Sequence, residues 1–430
     1  MKNSLKRGMW LLAFCALGFW GGFSGYSSEA KAQAQNRVPD VRKAMNLTTY
    51  QSWGFTVDSS PQGARVRNLM HRLRDLGFNH LTFNVRGRMV GGAANEIVSS
   101  VPPAEQMQEE ALLLETIAYA HRLGFTTGLR PIVLVVGPRG EFPYVKNGVT
   151  WWHGNINPSN PARWFQSFAL FHSRYWEIAR RGGVAAYTIG AELHSLTTGK
   201  GERDRRRPHG YPERWVEMVR EARRTMGSSV QLIYDINYTD QYILADGVKK
   251  LGGEFEQFRW DMTRTPKTAR EREYQASLVE FWRSLDRIGI DLYRPLASRR
   301  TSVNAPTLLR DLRARVDSYA TQLDTALFEI EMATGVSKEL ELKEVGYRSV
   351  EWGFLNPAAY ETAGGRFSAL HQALAWDALL GGFVSASWPW MKGVHVWEVN
   401  VDRDHMNARD TGFTPLGKPA SEEVFARYFL

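Results

Sequence analysis

The sequence predicts a single (β/α)8 TIM barrel, on three observations. Short apolar runs alternate with amphipathic helical stretches until eight β runs are counted, with no internal repeat and no long low-complexity linker. Strict alternation of this kind implies parallel strands joined by crossover helices, and eight such strands close on themselves. No G-x-G-x-x-G turn follows the first run, so the signature of a doubly wound dinucleotide-binding sheet is missing. Carboxylates, Glu192 and Glu344, fall at the ends of the fourth and seventh runs, where barrel enzymes carry their chemistry. A chain of 430 residues, 43% hydrophobic and 23% charged, has room for one barrel or two smaller domains, and the alternation favours one.

The elements follow in order. Residues 46–55 read as a first strand and turn, and 66–76 as a helix. The run 79–85 (NHLTFNV) alternates like a strand, 109–123 is helical, and 126–136 (TTGLRPIVLVV) is apolar enough for a buried strand. A long helix over 161–181 leads to 184–190, a run with β-branched and aromatic residues that stops at Gly190. Then come a helix over 213–226, a strand over 230–234, a helix over 268–285 and the strand 288–293 (IGIDLY). A helix from 307 past 325 precedes the strand 340–346, and a helix over 358–380 precedes an eighth strand at 382–388 (GFVSASW).

The N-terminus reads as a targeting segment outside the barrel. Lys2, Lys6 and Arg7 precede a mostly apolar stretch over 9–23, and Ala30-Lys31-Ala32 supplies an exit site. This pattern is that of a secretory signal over 1–32, cleaved after Ala32; a retained membrane anchor is the alternative reading. A polar leader over 33–44 then joins the catalytic domain at 45–430. Export is therefore expected, to the periplasm or the medium. Cys15 is the sole cysteine and lies in the signal, so the mature chain relies on its core rather than on disulfides. The net charge of +9 suits attraction to anionic cell-wall polymers, with a solvated basic surface as the plainer reading. The run Arg203 to Arg207 (RDRRR) has no interleaved aromatics and gives no reason to expect nucleic acid as a partner.

Two carboxylates across a barrel mouth are the minimum for splitting a glycosidic bond. One protonates the leaving oxygen and the other acts at the anomeric carbon. Glu192 and Glu344 are the candidate catalytic pair; rim carboxylates held in salt bridges are the structural alternative. Arg130, on the third run, is a candidate for holding a carboxylate ionised or binding a sugar hydroxyl. Tyr293 and Tyr347 are candidate donors to the pair, and Asn84 on the second run joins the expected substrate contacts. Of 15 tryptophans, Trp53, Trp151, Trp152, Trp388 and Trp390 fall at predicted strand ends, where rings stack on sugar faces. Trp152 and Trp388 are the ones expected to bind substrate. The ten histidines show no H-E-x-x-H or paired ligand spacing, and no G-x-S-x-G elbow is present. Neither metal nor cofactor is expected.

At these residues the chain resembles glycoside hydrolase family 113, the endo-β-1,4-mannanase-like barrels of clan A. Leu129-Arg130-Pro131, WWHGNINP (151–158) and PARWFQSFALFHSRY (161–175) carry the likeness first. YTIGAELHS (187–195) looks like the family's acid/base strand, and GIDLYRPL (289–296) with KEVGY (343–347) like its nucleophile strand. GFTPLGKPASEEVFARYF (412–429) is similar to its closing segment. The resemblance implies Glu192 as acid/base and Glu344 as nucleophile of a retaining hydrolase acting on a β-linked polysaccharide of mannan type. Ala191 stands where the clan usually has asparagine, and His153 where arginine is expected. A carbohydrate-binding barrel without turnover, and a hydrolase of cell-wall or exopolysaccharide amino sugars, are the rival readings.

Overall fold

The computed structural model describes residues 41–199, 201, 209–360 and 363–430. The expected signal, residues 33–40 of the leader, Cys15 and the basic run at 203–207 lie outside the described residues. Residues Val41–Leu430 form one compact unit.

Eight parallel strands close a barrel: β1 (Arg42–Thr48), β2 (His80–Val90), β3 (Thr126–Val136), β4 (Ala186–Ala191), β5 (Gln231–Tyr238), β6 (Arg287–Leu292), β7 (Leu340–Val345) and β8 (Met391–Asn400). Each pairs with its sequence neighbours, and β1 closes the ring by pairing with both β8 and β2. The main helices between and after them are α1 (Pro61–Asp75), α2 (Gln106–Arg122), α3 (Pro161–Gly182), α4 (Pro212–Met226), α5 (Ala269–Ser284), α6 (Ala305–Thr334), α7 (Ala369–Leu380) and α8 (Pro419–Phe429), with further helices at His194–Thr197 and Gly253–Thr263. The predicted fold class is the observed one. No helix among the described residues is long and apolar enough to cross a membrane.

Local chemistry fixes the helix starts. Ser60, Asn160 and Asn304 each accept a hydrogen bond from the backbone N–H three residues on, with proline at the first helical position after Ser60 and Asn160 and at the second after Asn304. Such residues satisfy orphan N–H groups, and proline has no N–H to lose there. Gly183 and Gly335 end α3 and α6 in the left-handed conformation that glycine adopts without strain. On α3, Trp164, Phe168, Phe171, Tyr175 and Trp176 are buried against the barrel. The helix layer thus takes the large apolar side chains.

Three assignments differ markedly from expectation. The first strand starts at Arg42, inside the segment read as leader, because Arg42 runs parallel to Gly393 of β8 and its guanidinium is buried on Glu341. The eighth strand is not 382–388. Residues Gly381–Ser385 continue α7 as one wide helical turn, and the strand begins at Met391. The apolar residues of GFVS belong to the end of a helix; the true strand carries Lys392, His395 and Glu398 among its apolar residues. The helix predicted over 358–380 starts only at Ala369, capped by Ser368.

Polar groups occupy much of the barrel interior, where layered branched apolar residues are usual. Near the N-terminal end, Glu341 accepts from Arg287 at 2.7 Å and from His395 at 2.9 Å, and it pairs with Arg42. His395 in turn meets Thr82 of β2 at 2.9 Å, across the strand that separates them. Higher up, Gly289 makes room for Asp235: a Cβ there would lie 2.2 Å from Asp235 Oδ1.

Candidate active site

Both glutamates reach the C-terminal mouth through irregularities in their strands. In β7, Ile290 of β6 pairs with Leu342 while Asp291 pairs with Glu344, so one extra residue is taken up between them. Against β8 the same stretch spends three residues, Leu342 to Val345, on two. A regular strand would turn Lys343 and Glu344 to opposite faces. The bulge turns Glu344 inward, where it meets Arg130 from across the barrel. In β4, the register against β5 shifts between Thr188 and Gly190. Tyr187 bonds His172 on α3, and Gly190 faces Trp215 on α4, where a Cβ would come within 2.7 Å of the ring. Glu192 follows with φ of +50°, a left-handed backbone that a non-glycine residue adopts at a cost.

Arg130 ties the mouth together and is 1% exposed. Its Nε donates to Asp235 on β5 at 2.6 Å, its Nη2 to Asp291 on β6 at 2.8 Å, and its Nη1 to Glu344 on β7. Nη1 also reaches Asn84 Oδ1 on β2 at 3.3 Å. One permanent cation therefore serves three carboxylates. Burial pushes Asp291 well up; Arg130 opposes, and the charges of Glu344 and Asp235 add to the rise. Tyr293, directly after β6, donates its hydroxyl to the second oxygen of Glu344 at 2.9 Å. Burial and the neighbouring carboxylates hold that phenol protonated. Glu344 itself is raised by burial, with Arg130 opposing and the charge of Glu192 raising it further.

Glu192 has different donors. His153 Nε2, from the short helix His153–Asn155 after β3, lies 3.1 Å from Oε2, and Asn237 Nδ2 at the end of β5 donates to Oε1 at 2.5 Å. Burial raises Glu192, but the His153 bond and charge and the Asn237 bond outweigh it, and the carboxyl is lowered. Behind Asn237 lies Glu254, fully buried, which accepts from Tyr234 Oη at 2.9 Å and from the Asn237 N–H at 3.3 Å. Burial pushes Glu254 up to about 8. Tyr234 Oη also accepts from the backbone N–H of Leu193, so this group braces the turn that carries Glu192.

The other expected contacts separate into three groups. Asn84 is fully buried and bonds Asn46, Leu47 and Arg130, so it and Arg130 brace the mouth from beneath. Trp152 stands edge-on to His153, with ring centroids 5.1 Å apart, beside Glu192. Tyr347 and Trp388 are elsewhere. Tyr347 is buried with its ring against Trp376 of α7, in the helix layer. Trp388 and Trp390 precede β8 and so stand at the opposite end of the barrel; Trp388 stacks on Trp390 and donates to Gly382 O. The residue at the mouth end of β8 is Trp397, half-buried, with the Arg130 guanidinium 5.9 Å from its ring centroid.

Asn237, Asp235, Asp291, Trp397 and Glu254 escaped the sequence reading. The pattern D-I-N in β5 offered a signal, since alternate polar residues in an apolar run point into a barrel. Correct placement of β8 would have offered Trp397. Among the described residues, no group of three or more His, Cys, Asp or Glu is arranged to hold a metal ion.

Comparison with known proteins bears on the fold. No protein-family model and no curated protein matches the chain. A GH113 β-mannanase from Alicyclobacillus acidocaldarius, solved in complex with ManMIm, is similar with a TM-score of 0.59 and 21% identity, over 92% of this chain and 98% of that one. A GH113 β-1,4-mannanase is similar with a TM-score of 0.56 and 15% identity, over 91% of this chain and 99% of that one. A complex of a GH113 β-1,4-mannanase gives a TM-score of 0.55 at 15% identity, over 91% and 99%. At such identities the likeness concerns architecture alone: the chain shares a TIM barrel fold with these mannanases over about nine-tenths of its length.

Proposed function

We propose that this barrel is a retaining glycoside hydrolase of β-linked polysaccharide, with Glu344 as nucleophile and Glu192 as acid/base. One observation carries the reading: two buried glutamates stand at the C-terminal ends of β4 and β7, and each has a donor on both of its oxygens. Donors on every oxygen fix a carboxylate's orientation, which a displacement at the anomeric carbon requires. In the first step Glu344 attacks the anomeric carbon while Glu192 gives its proton to the departing oxygen. In the second, Glu192 takes a proton from water, which displaces Glu344 with net retention. Arg130 and Tyr293 favour the charged form of Glu344 and so suit the nucleophile. A carboxyl separation of roughly 5–5.5 Å is expected in a crystal structure. Export under the 1–32 segment belongs to the same reading, and N-terminal sequencing of the secreted protein checks it.

One observation favours a second reading. Without substrate, Glu344 is raised and Glu192 lowered, the reverse of the order that the first step needs. A sugar-binding barrel without turnover has no need of the productive order, and a reducing-sugar assay separates the two. The roles are tested by azide rescue on an activated aryl glycoside. Glu344→Ala loses activity and regains it with azide as inverted product. Glu192→Ala keeps a fast first step, because a good leaving group departs unprotonated, and azide then releases the sugar with retention. Identical behaviour of the two variants sinks the assignment.

A further inference from the structure

Beside the glutamate pair, a cavity of about 240 Å³ opens between the loops after β1 and β3 and the upper half of β2. Asn84, Arg86 and Arg88 alternate along β2 and all line it. Asn84 bonds Arg130, which holds Glu344, so one residue of the cavity wall is linked by hydrogen bonds to the proposed catalytic centre. Phe142 on its far wall meets Tyr360 edge-on at 6.2 Å, and the charges of Glu192 and Glu344 both reach the Tyr360 hydroxyl.

Arg86 is the unusual member. It is 8% exposed, its guanidinium lies 3.6 Å from the centroid of the Tyr50 ring, and its Nε and Nη1 have no hydrogen-bond acceptor among the described residues. Ser100 Oγ, on the same wall, is also buried without a partner there. Buried guanidinium N–H groups without an acceptor are costly, and the residue that carries these two lines a cavity. The acidic group on the wall, Glu109, is already engaged by Arg174 and by Tyr175. Glu105 approaches the rim only through Ser52. Exposed Arg88 adds a second positive charge.

We propose that this cavity is a subsite for a sugar that bears a carboxylate, so that the β-linked polymer bound in the cleft is acidic. The link to turnover rests on the glycosidase reading above; the binding site stands on its own geometry. Arginine and carboxylate form charge-assisted hydrogen bonds stronger than neutral ones, and the ring of Tyr50 holds the guanidinium flat to receive them. A single negative charge matches the site better than a dianion does, because Glu109 lines the same wall. The basic excess of the chain, +9 with residues 1–32 included, draws an acidic polymer towards the protein at low salt.

The test compares a β-1,4-linked mannuronate tetrasaccharide with its carboxyl-reduced counterpart, which has the same skeleton and linkage. Dissociation constants are measured by calorimetry for the mature protein, Arg86→Met and Arg88→Met, with product chromatography on both sugars in parallel. The acidic sugar is expected to bind at least about tenfold more tightly, with the preference narrowing as salt rises. Arg86→Met should bring the two sugars within about threefold, and Arg88→Met should remove part of the preference. Equal or weaker binding of the acidic sugar, including no binding, overturns the proposal. So does a full preference in Arg86→Met, or in Arg88→Met should Arg86→Met not fold. Acid-selective binding without cleavage overturns the hydrolase reading and leaves the subsite standing. Cleavage of the neutral sugar without acid preference does the reverse.

Discussion

Four donors hold the two glutamates, and they differ in kind. Glu344 faces a permanent cation and a phenol, whereas Glu192 faces an imidazole and an amide. Each donor stabilises the charged form of its carboxylate, so removing it raises that carboxyl. His153→Gln should therefore raise Glu192 and keep the acid protonated to higher pH. The alkaline limb of the kcat/KM profile then moves upward in pH, which a full pH profile of the variant measures. An unmoved limb means that His153 does not govern this proton. Tyr293→Phe removes one donor from Glu344. The acidic limb should move upward, and kcat/KM should fall by about 10–100-fold, the worth of one hydrogen bond to a charged group. Little of this was legible beforehand. Both glutamates announce themselves as carboxylates closing apolar runs, but their donors come from β3, the segment after it, β5 and the residue after β6. No spacing along the chain links His153 to Glu192 or Tyr293 to Glu344.

Among elements, the strands that carry the glutamates are the irregular ones. A bulge costs one residue of register and reverses which face every later side chain takes. Periodicity read from sequence does not see that, since one extra residue in a six-residue strand leaves the apolar content unchanged. It does find the strands themselves: β3 is predicted with its observed bounds, and β4, β6 and β7 to within two residues at either end. The failure at β8 has a physical cause as well. Its alternating Met391 to Asn400 reads as polar because His395 and Glu398 interrupt it, while GFVSASW reads as apolar because α7 buries Phe383. Trp388 was thereby assigned to a mouth that Trp397 occupies. The bulge in β4 makes its own prediction. Gly190→Ala sets a Cβ against the Trp215 ring, 2.7 Å away, in a close-packed layer. Overpacking of this kind costs about 1–3 kcal/mol, read by chemical denaturation. Because the strand rather than the large ring gives way, kcat should fall as well. Loss of stability with kcat intact means that the strain stays in α4.

For the whole molecule, the polar interior makes stability depend on pH from both sides. His172 and His395 are held down to about 3 by burial, so they stay neutral in the folded protein while the unfolded chain takes up protons below about 6.5. The unfolded state then binds more protons, and stability falls as pH drops from there. Glu254 acts in the opposite sense. Burial pushes it up to about 8, so the folded protein keeps a proton that the unfolded chain gives up above roughly 4.5. Here the folded state binds more protons, and stability falls as pH rises from about 4.5 to about 8, then levels. Asp261, raised to about 6 by burial, adds to that fall over the lower part of the range. Between about 4.5 and 6.5 the two sets oppose each other and stability is nearly flat. Above 6.5 Glu254 still contributes to the fall, with buried Asp291, also raised, acting in the same sense. Between pH 6.5 and 8 the Glu254 effect amounts to at most about 2 kcal/mol, or roughly 2–3 °C in Tm for a chain of this length. Glu254→Gln keeps an acceptor for the Tyr234 and Thr197 hydroxyls, which both donate to Glu254 Oε1, but has no proton to lose, so its Tm should fall less over that interval than that of the unsubstituted protein. Calorimetric scans of both proteins at half-unit steps of pH decide it: parallel curves mean that Glu254 is already ionised in the fold, and the alkaline fall has another source.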